Sequence, residues 1–399
     1  MMKLYLVLMI LLMNLSCGQA AAPNDKPAFT VDTTMFDAKV ADTVGLPAIE
    51  SETITIFRPE KPEDMKFNNH PQLAIFKDIM YVCWVGHPVN ETSDEAYLFI
   101  SKSPDGVNWA PPLRIGRPLR ACGGLWATKD ALYCYALVAD EELKGNNVVE
   151  EPQTEIYKSI DGVNFDMIAT IENAMPSESP RSTASGRLIM PCHGLGKGKF
   201  ADVRVSRLLY TDDPNGVTGW KEGAINYIDD IQITGNKKMG RPIEPSWFTR
   251  GDGKLTAIFR DLRFDAKMRT WRTWAAVSSD DGASWSDPVL TDMPDSDSMQ
   301  CARNLPDGTV CMVNNPVQTR RRVPIAVTLS KDGVNFTHSF LVRGKPQPKR
   351  FEGISKTDGY SYPGAIVWGE YLYVSYATNK EDIETTRIKL DTIKKEMCK

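Results

Sequence analysis

Five copies of one short turn pattern divide most of the sequence into segments of similar length. Each copy has serine or threonine, then aspartate and glycine, before a final tryptophan or phenylalanine. The copies are SPDGVNW (103–109), SIDGVNF (159–165), TDDPNGVTGW (211–220), SSDDGASW (278–285) and SKDGVNF (330–336). Successive copies begin between 52 and 67 residues apart, which is too long for a solenoid coil and suits a four-stranded sheet. The spacing predicts the blades of a β-propeller.

The residue types in this pattern suit a tight turn. Serine and aspartate side chains can hydrogen-bond to the backbone of their own turn, and glycine supplies the positive φ that a tight hairpin needs. The final aromatic side chain can pack between neighbouring sheets. We therefore interpret the pattern as a structural clip between two strands, with no catalytic role.

Counting alternating apolar strands around the five turns predicts an all-β fold, a six-bladed propeller. The predicted blades cover residues 67–112, 122–171, 180–227, 240–290, 298–342 and 360–390. The sixth blade has no turn pattern of its own. We expect the strand over residues 51–57 to complete it and so close the ring.

The first residues predict export. Lys3 precedes an apolar run over residues 4–13, which is too short to span a bilayer comfortably and is typical of a signal peptide. Residues 15–18 resemble a bacterial lipoprotein box, which would make residues 1–16 the signal and would attach a lipid to Cys17. Simple secretion, with cleavage near residues 19–21, is the alternative.

These features predict three segments. Residues 1–19 are expected to be the signal peptide, residues 20–50 an irregular leader and residues 51–399 the propeller. The expected location is outside the bacterial cytoplasm: secreted, periplasmic, or anchored by lipid to the outer membrane or cell surface. Any contact with the membrane would then run through the lipid anchor alone.

Charge and motif content exclude several partners. The 399 residues carry a formal net charge of −4, whereas nucleic-acid binding needs a basic face. The sequence has no dinucleotide-binding glycine fingerprint, no phosphate-binding P-loop and no pair of cysteines in a CxxC spacing. We therefore expect no cofactor, no metal and no nucleic acid.

Ionisable residues are crowded where a propeller brings its strands to the axis. The start of each innermost strand and the end of the following strand meet there on one face, and converging charges are costly unless they serve a site. The residues at these positions include Asn69, His70, His87, Arg181, Glu244, Arg260, Arg303, Arg322, Tyr360 and Tyr362. They predict a functional site at the mouth of the ring.

The repeated turn resembles the Asp box of the sialidase superfamily, and the resemblance can be followed over residues 67–390. It implies an exo-acting glycoside hydrolase that removes a terminal acidic sugar from a glycan. Members hold the sugar's carboxylate with three arginines. They attack the sugar with a tyrosine, whose proton passes to a glutamate, and they use an aspartate as general acid and base.

Several positions match that set. By this resemblance Tyr360, in GYSYPGAI, is the nucleophile, Glu244, in IEPSWF, accepts its proton, and Asp94 is the acid/base. Arg260 and Arg322 match the second and third arginines. The residue types fit the chemistry, because a neutral phenol avoids repulsion by the substrate carboxylate, and a guanidinium can bind that carboxylate through two parallel hydrogen bonds.

The first blade departs from the family. Asn69 and His70 occupy the segment in which the family carries its first arginine, and His87 stands where an arginine often follows the second strand. The carboxylate clamp is therefore incomplete. The residues expected to bind substrate are Arg260, Arg322, Asn69, His70, His87, Arg181, Arg303 and Tyr362.

The two histidines leave a second enzyme class open. A propeller polysaccharide lyase, cutting next to a uronic acid, needs a base near neutral pH, and His70 and His87 suit that role. Tyr360 or Tyr133 would then be the acid. A third possibility is a non-catalytic propeller that binds glycans through the same mouth.

Overall fold

A computed structural model describes residues 26–91, 95–116, 119–138, 151–234, 237–262 and 271–398. Over these ranges nearly all of the regular secondary structure is β-strand, as the predicted all-β fold requires. The signal peptide predicted over residues 1–19 lies outside them. In the ranges described, no helix is both long and apolar enough to cross a bilayer.

The strands follow one another as the blade spacing predicts. Two short strands come first, β1 (Thr30–Val31) and β2 (Glu52–Phe57). The first blade contains β3 (Phe67–Phe76), β4 (Ile79–His87), β5 (Tyr97–Ser103) and β6 (Leu113–Ile115). The second contains β7 (Leu119–Ala127), β8 (Leu132–Val138), β9 (Gln153–Ser159) and β10 (Asp166–Glu172).

The third sheet has more and shorter strands. These are β11 (Met175–Pro176), β12 (Arg181–Ser182), β13 (Leu188–Leu195), β14 (Val203–Thr211), β15 (Lys221–Glu222), β16 (Ile231–Thr234) and β17 (Lys237–Gly240). The next blade contains β18 (Pro242–Thr249), β19 (Leu255–Asp261), β20 (Arg272–Ser278) and β21 (Val289–Pro294).

Two further blades complete the ring. One contains β22 (Cys301–Asn304), β23 (Val310–Asn314), β24 (Ile325–Ser330) and β26 (His338–Arg343), with the short β25 (Asn335–Phe336) in its outer turn. The last contains β27 (Tyr360–Trp368), β28 (Tyr371–Thr378) and β29 (Asp382–Lys389), and the helix α1 (Leu390–Glu396) follows it.

The propeller class is confirmed, but the prediction of six regular blades is corrected to five. Five sheets are four-stranded and antiparallel. In the third sheet the outer edge of β14 is divided, because β15 pairs with its last residues and β17 pairs parallel with its first residues. No single strand therefore takes the outermost place, and the sheet has seven strands in all.

The ring closes through the strand that precedes it. β2 pairs antiparallel with β29 and becomes the outermost strand of the last blade, as the sequence predicted. Glu52 and Arg387 face each other in this register and form an ion pair of 2.6 Å between Oε2 and Nη2. Inside the ring, β27 and β3 are in contact and join the last blade to the first.

The repeated turns have the geometry of clips. In the first one, Asp105 Oδ1 accepts hydrogen bonds from the backbone N–H groups of Val107 and Asn108, at 2.9 and 2.7 Å. Gly106 has φ +72°, and a Cβ there would lie 2.5 Å from the hydroxyl of Tyr373 in the last blade. Each turn thus brings its glycine against the preceding blade, which agrees with the structural role assigned to the pattern.

The described part of the leader packs on the outside of the ring. β1 pairs parallel with β25, and Phe29 is buried with its ring centroid 5.1 Å from that of Phe336. Val44 and Leu46 are also buried, beside Ala326 of β24. This segment therefore covers the outer part of the blade that contains β24 and β25.

Candidate active site

Three innermost strands carry the same irregularity near their first residues. In β3, β18 and β27 the pairing with the next strand shifts at a bulge that contains His70, Glu244 or Tyr362. These residues have φ values of +55°, +51° and +54°, and each is followed by proline. Positive φ is uncommon for a residue with a side chain, so its recurrence at one level of the ring indicates a functional constraint.

The bulges bring three side chains to one point near the axis. The ring centroids of His70 and Tyr362 lie 3.9 Å apart, with the planes inclined at 41°. The charge of Glu244 acts on both rings: it raises the pKa of Tyr362 and works against the lowering of the His70 pKa. One residue from each of three blades therefore belongs to a single cluster.

Arg260, on β19, joins the cluster to a second carboxylate. Its Nη1 donates to Glu244 Oε2 at 2.8 Å and its Nε donates to Asp297 Oδ1 at 2.9 Å. Burial alone would raise the pKa of Glu244, but the positive charge of Arg260 and its hydrogen bond to the carboxylate hold it at about 2. Arg260 is thus neutralised by two carboxylates of the protein itself.

His193, at the end of the hairpin strand β13, holds the backbone of the Glu244 bulge. The N–H of Glu244 donates to Nε2 of His193 at 3.1 Å. Burial lowers the pKa of His193 to about 4, so the ring is neutral at pH 7 and its Nε2 can accept this bond. The histidine therefore orients the glutamate rather than carrying charge.

Arg322 is the cation of the cluster that has no carboxylate partner. Its guanidinium carbon lies 5.1 Å from the centroid of the Tyr362 ring, and Nη1 donates to the hydroxyl of Ser361 at 3.0 Å. The side chain is buried, with 6% of the residue exposed. No ion pair links Arg322 to any carboxylate of the described ranges. A buried guanidinium in this state favours an external anion.

Lys380 is a second cation near the same tyrosine. Its Nζ is 5.3 Å from the Tyr362 ring centroid, 5.2 Å from that of Phe67 and 3.3 Å from Glu91 Oε2. Burial lowers its pKa to about 8, although the Glu91 carboxylate favours the charged form. Tyr362 is therefore flanked by two cations, Arg322 and Lys380.

The surroundings keep Tyr362 protonated at rest. Burial and the Glu244 charge raise its pKa to about 12, while Arg322 and Arg260 limit that rise. A neutral phenol next to an ionised carboxylate is the pair in which an attacking oxygen can lose its proton during bond formation. The cluster holds both members of that pair.

The assignment of Tyr360 as nucleophile is corrected by the geometry. Its hydroxyl donates to the backbone carbonyl of Lys345 at 2.6 Å, and its ring meets that of Tyr376 edge-on at 5.4 Å. The guanidinium of Arg343 lies 5.0 Å from the same ring. Tyr360 is thus enclosed between the last two blades, and Tyr362, which the sequence assigned only to binding, takes the place beside Glu244.

Arg181 and Arg303 do not join this cluster. Both form ion pairs with the buried Glu178, at 3.2 and 2.9 Å, and both line a cavity further along the innermost strands. Their assignment to the same substrate site is therefore corrected. The physical reason is the position of Arg303 along the strands. Its Nε donates to the carbonyl of Ala365, which lies three residues beyond Tyr362 on β27 and so away from the cluster.

The remaining predicted residues have mixed placements. Asn69 is buried next to His70 in the bulge, whereas the ring of His87 packs edge-on against Phe67 at 5.3 Å. Tyr133 donates its hydroxyl to Asn215 in the neighbouring sheet, outside the cluster. Asp94, the predicted acid/base, lies outside the described residues.

Sequence reasoning gave no role to three residues of the cluster, His193, Asp297 and Lys380. Asp297 also has positive φ, at +56°, just before β22, and Lys380 has +56° in the turn after β28. A usable signal existed for the three bulge residues, since each precedes a proline where an innermost strand begins. For Asp297 and Lys380 no comparable signal exists.

The sequence matches the family model described as a BNR repeat-like domain over residues 74–374. The chain belongs to the BNR repeat-like family. The match spans most of the ring and leaves out the start of β3, which contains His70. A comparison with curated proteins found no match.

Solved structures similar to this BNR repeat-like protein share its fold. A sialidase aligns at 19% identity with a TM-score of 0.55, over 91% of this chain and 35% of its own. The chain thus spans about a third of that sialidase. Hadza microbial sialidase Hz136 aligns at 14% identity with a TM-score of 0.64, over 85% of this chain and 68% of its own. An α-L-arabinanase from Penicillium chrysogenum aligns at 16% identity with a TM-score of 0.55, over 86% and 99%.

These neighbours share the propeller fold with this chain. Their low identity shows the fold alone. The particular sugar must therefore be argued from the residues of the cluster.

Proposed function

We propose that this protein is an exo-acting glycosidase that removes a terminal acidic sugar from a glycan, with Tyr362 as the nucleophile. The observation that carries the proposal is the arrangement around Tyr362: an ionised Glu244 acts on its phenol, and the buried Arg322 next to its ring has no carboxylate partner among the described residues. An acidic sugar would supply that partner.

Substrate binding starts at Arg322. The sugar carboxylate replaces the missing counter-charge, and the planar guanidinium can hold it with two hydrogen bonds. Lys380, with its Nζ 5.3 Å from the centroid of the Tyr362 ring, adds a second positive charge to a site that lacks the family's first arginine. Arg260 already has Glu244 and Asp297 as partners, so its role is to position Glu244, which revises the binding role predicted for it.

The chemical step transfers the glycosyl group to Tyr362. The phenolic oxygen forms a bond to the anomeric carbon while the glycosidic C–O bond breaks, and the phenol proton passes to Glu244. A phenol of pKa about 12 and a carboxylate of pKa about 2 do not exchange a proton at rest. The transfer therefore accompanies bond formation, because the phenol becomes far more acidic as its oxygen becomes bonded to carbon. Water then releases the sugar and regenerates the phenol.

The leaving oxygen needs a proton, which the predicted acid Asp94 would supply. Among the described carboxylates at this mouth, Glu91 is close in the chain but cannot serve. Burial would raise its pKa, but Lys380 lowers it below the usual value, so Glu91 is ionised at neutral pH. Its role is to pair with Lys380.

The experiment that tests the proposal is product analysis with sialylated glycans, using Tyr362→Phe and the matched control Tyr360→Phe. We expect a free acidic sugar from the wild type and from Tyr360→Phe, and none from Tyr362→Phe. Both variants lose one hydroxyl from a buried tyrosine, so a general loss of packing would affect both. Activity that survives in Tyr362→Phe and disappears in Tyr360→Phe would refute the assignment.

The contact between His70 and Tyr362 favours one second candidate, a polysaccharide lyase acting next to a uronic acid. Burial lowers the pKa of His70 to about 4, so at neutral pH the imidazole is uncharged and has one nitrogen that can accept a proton. His70 can then act as the base, with Tyr362 as the acid. The imidazole of His87 packs against Phe67, so this candidate rests on His70. Incubation with uronic-acid oligosaccharides separates the candidates, because only elimination forms an unsaturated, ultraviolet-absorbing product, lost in His70→Ala. A glycan-binding protein without activity would retain substrate and form neither product.

A further inference from the structure

A cavity lies further along the innermost strands, away from the candidate active site at their first residues. Its volume is about 450 Å³, within the range of small-molecule sites. The innermost strands that line it include β3, β7 and β27, through Leu73, Leu125 and Val367. On β27, Val367 lies five residues beyond Tyr362, which at about 3.3 Å per residue is roughly 16 Å. The cavity is therefore separate from the candidate active site.

Two arginines, Arg181 and Arg303, line this cavity, and both are paired with Glu178. Glu178 is completely buried and accepts from Arg181 Nη2 at 3.2 Å, from Arg303 Nη1 at 2.9 Å and from the Ser246 hydroxyl at 2.8 Å. Arg181 and Arg303 are themselves largely buried, with 18% and 13% of their side chains exposed. Two guanidinium groups thus share one carboxylate, which leaves one positive charge uncompensated.

Both arginines keep donors free for a ligand. Nε of Arg303 donates to the carbonyl of Ala365, and its Nη1 donates to Glu178 and to the carbonyl of Ala302. Within the described ranges its Nη2 makes no hydrogen bond. Arg181 uses Nη2 alone, while its Nε is buried without a partner. A buried donor without a partner costs free energy that an incoming acceptor would recover. The excess charge and the free donors both indicate an anion.

The other walls are mainly apolar, and they also include Ser179, Ser182 and Asn304. The apolar part is formed mainly by Leu73, Ile75, Leu125, Trp126, Leu305, Pro306, Ile366 and Val367. A hydrocarbon body packed on these side chains would bury apolar surface at about 25 cal/mol per Å². The walls therefore favour a ligand that is apolar apart from its charged end.

We propose that this cavity binds a small organic carboxylate with an apolar body, held by Arg181 and Arg303. The carboxylate takes the free donors of both guanidinium groups and neutralises the excess charge beside Glu178. The hydrocarbon body packs on Leu73, Leu125 and Val367. This site is independent of the glycosidase proposal, since none of its residues contacts the cluster around Tyr362.

The test uses octanoate as the probe and octanamide as its uncharged match, in isothermal titration calorimetry with the full chain. We expect octanoate to bind with a Kd of about 1 mM or below, and octanamide at least about tenfold more weakly. Emission from Trp126, in the cavity wall, should change on addition of octanoate only. Equal binding of the two compounds, or no binding of octanoate, would overturn the proposal.

Two variants locate the binding. Arg303→Met removes one guanidinium and should weaken octanoate binding at least about tenfold. Because this change also takes a partner from Glu178 and can impair folding, Val367→Trp serves as a second variant, which fills the cavity and leaves every charge in place. It should abolish octanoate binding while the thermal unfolding temperature stays near that of the wild type.

Arg322→Met, in the other cluster, is the matched control and should bind octanoate as the wild type does. If octanoate binding were lost in Arg322→Met and kept in Val367→Trp, the anion would be occupying the candidate active site. Because this readout is binding of octanoate and not hydrolysis, the cavity proposal and the glycosidase proposal can fail separately.

Discussion

The two ends of the innermost strands use arginine in different ways. At the start of the strands, bulges at His70, Glu244 and Tyr362 turn polar side chains together, and five further ionisable groups surround them. At the other end the strands are regular and their side chains are apolar, with Arg181 and Arg303 gathered around one carboxylate. The difference shows that polarity at the axis depends on local backbone irregularity as well as on residue type.

The largest expected effect separates the two ends by function. Glu244→Gln removes the proton acceptor and should lower kcat for hydrolysis by about 100- to 1,000-fold, with little change in KM. Octanoate binding should remain as in the wild type. Val367→Trp should keep the kcat of the wild type and lose octanoate binding. Steady-state kinetics and calorimetry on both variants therefore test whether the two ends are independent. A loss of both properties in either variant would contradict that independence.

Acid should destabilise the end that carries the histidines. The pKa of His70 and of His193 is about 4 in the folded protein, against an ordinary value of 6.5. The unfolded chain therefore binds more protons than the folded chain between these values, so stability is lost as the pH falls from about 6.5 to 4. Each histidine contributes about 3 kcal/mol to this loss.

Urea unfolding at several pH values checks that prediction. His193→Gln keeps a side chain that can accept a hydrogen bond from the Glu244 backbone but cannot titrate, so its stability should fall less over this interval. The matched control is His338→Gln, because His338 is only partly buried on β26. This variant should keep the pH dependence of the wild type. An unchanged pH dependence in His193→Gln would show that the acid sensitivity arises elsewhere.

Removing the unpaired cation should affect binding more than turnover. Arg322→Met eliminates the two hydrogen bonds proposed for the sugar carboxylate and should raise KM by about 10- to 100-fold. Arg343, which is paired with Glu384 at 3.0 Å behind Tyr360, provides the comparison. Its replacement by methionine should reduce stability without a selective rise in KM. Equal KM values in the wild type and Arg322→Met would remove Arg322 from the site.

The smallest expected effect concerns Lys380. Its pKa of about 8 predicts that KM rises severalfold between pH 7 and pH 9, as the side chain loses its charge. Lys380→Arg keeps the charge throughout this interval, so its KM should be nearly independent of pH there. A rise of the same size in Lys380→Arg would assign the pH effect to another group.

The sequence predicted the ring well because the turn pattern is local. Its serine, aspartate and glycine act within a few residues, so five copies specify where strands end and how blades follow each other. The third sheet departs from the prediction because the hairpin β16–β17 pairs with β14, a contact between distant segments. No local pattern in residues 225–240 announces that pairing.

The site was harder to predict because one backbone irregularity decides it. Tyr360 and Tyr362 are two residues apart, so a regular strand would place both on the same face. The bulge at Tyr362 breaks this alternation and leaves Tyr360 between two blades. Arg303 was misplaced for a related reason, since its depth along β22 depends on where that strand begins.

The pairing of β2 with β29 has a consequence for the order of assembly. β2 is made early and its partner is the last strand of the described chain, so the ring cannot close during synthesis until the final blade has emerged. Until then β2 has an unpaired edge, which can associate with other chains.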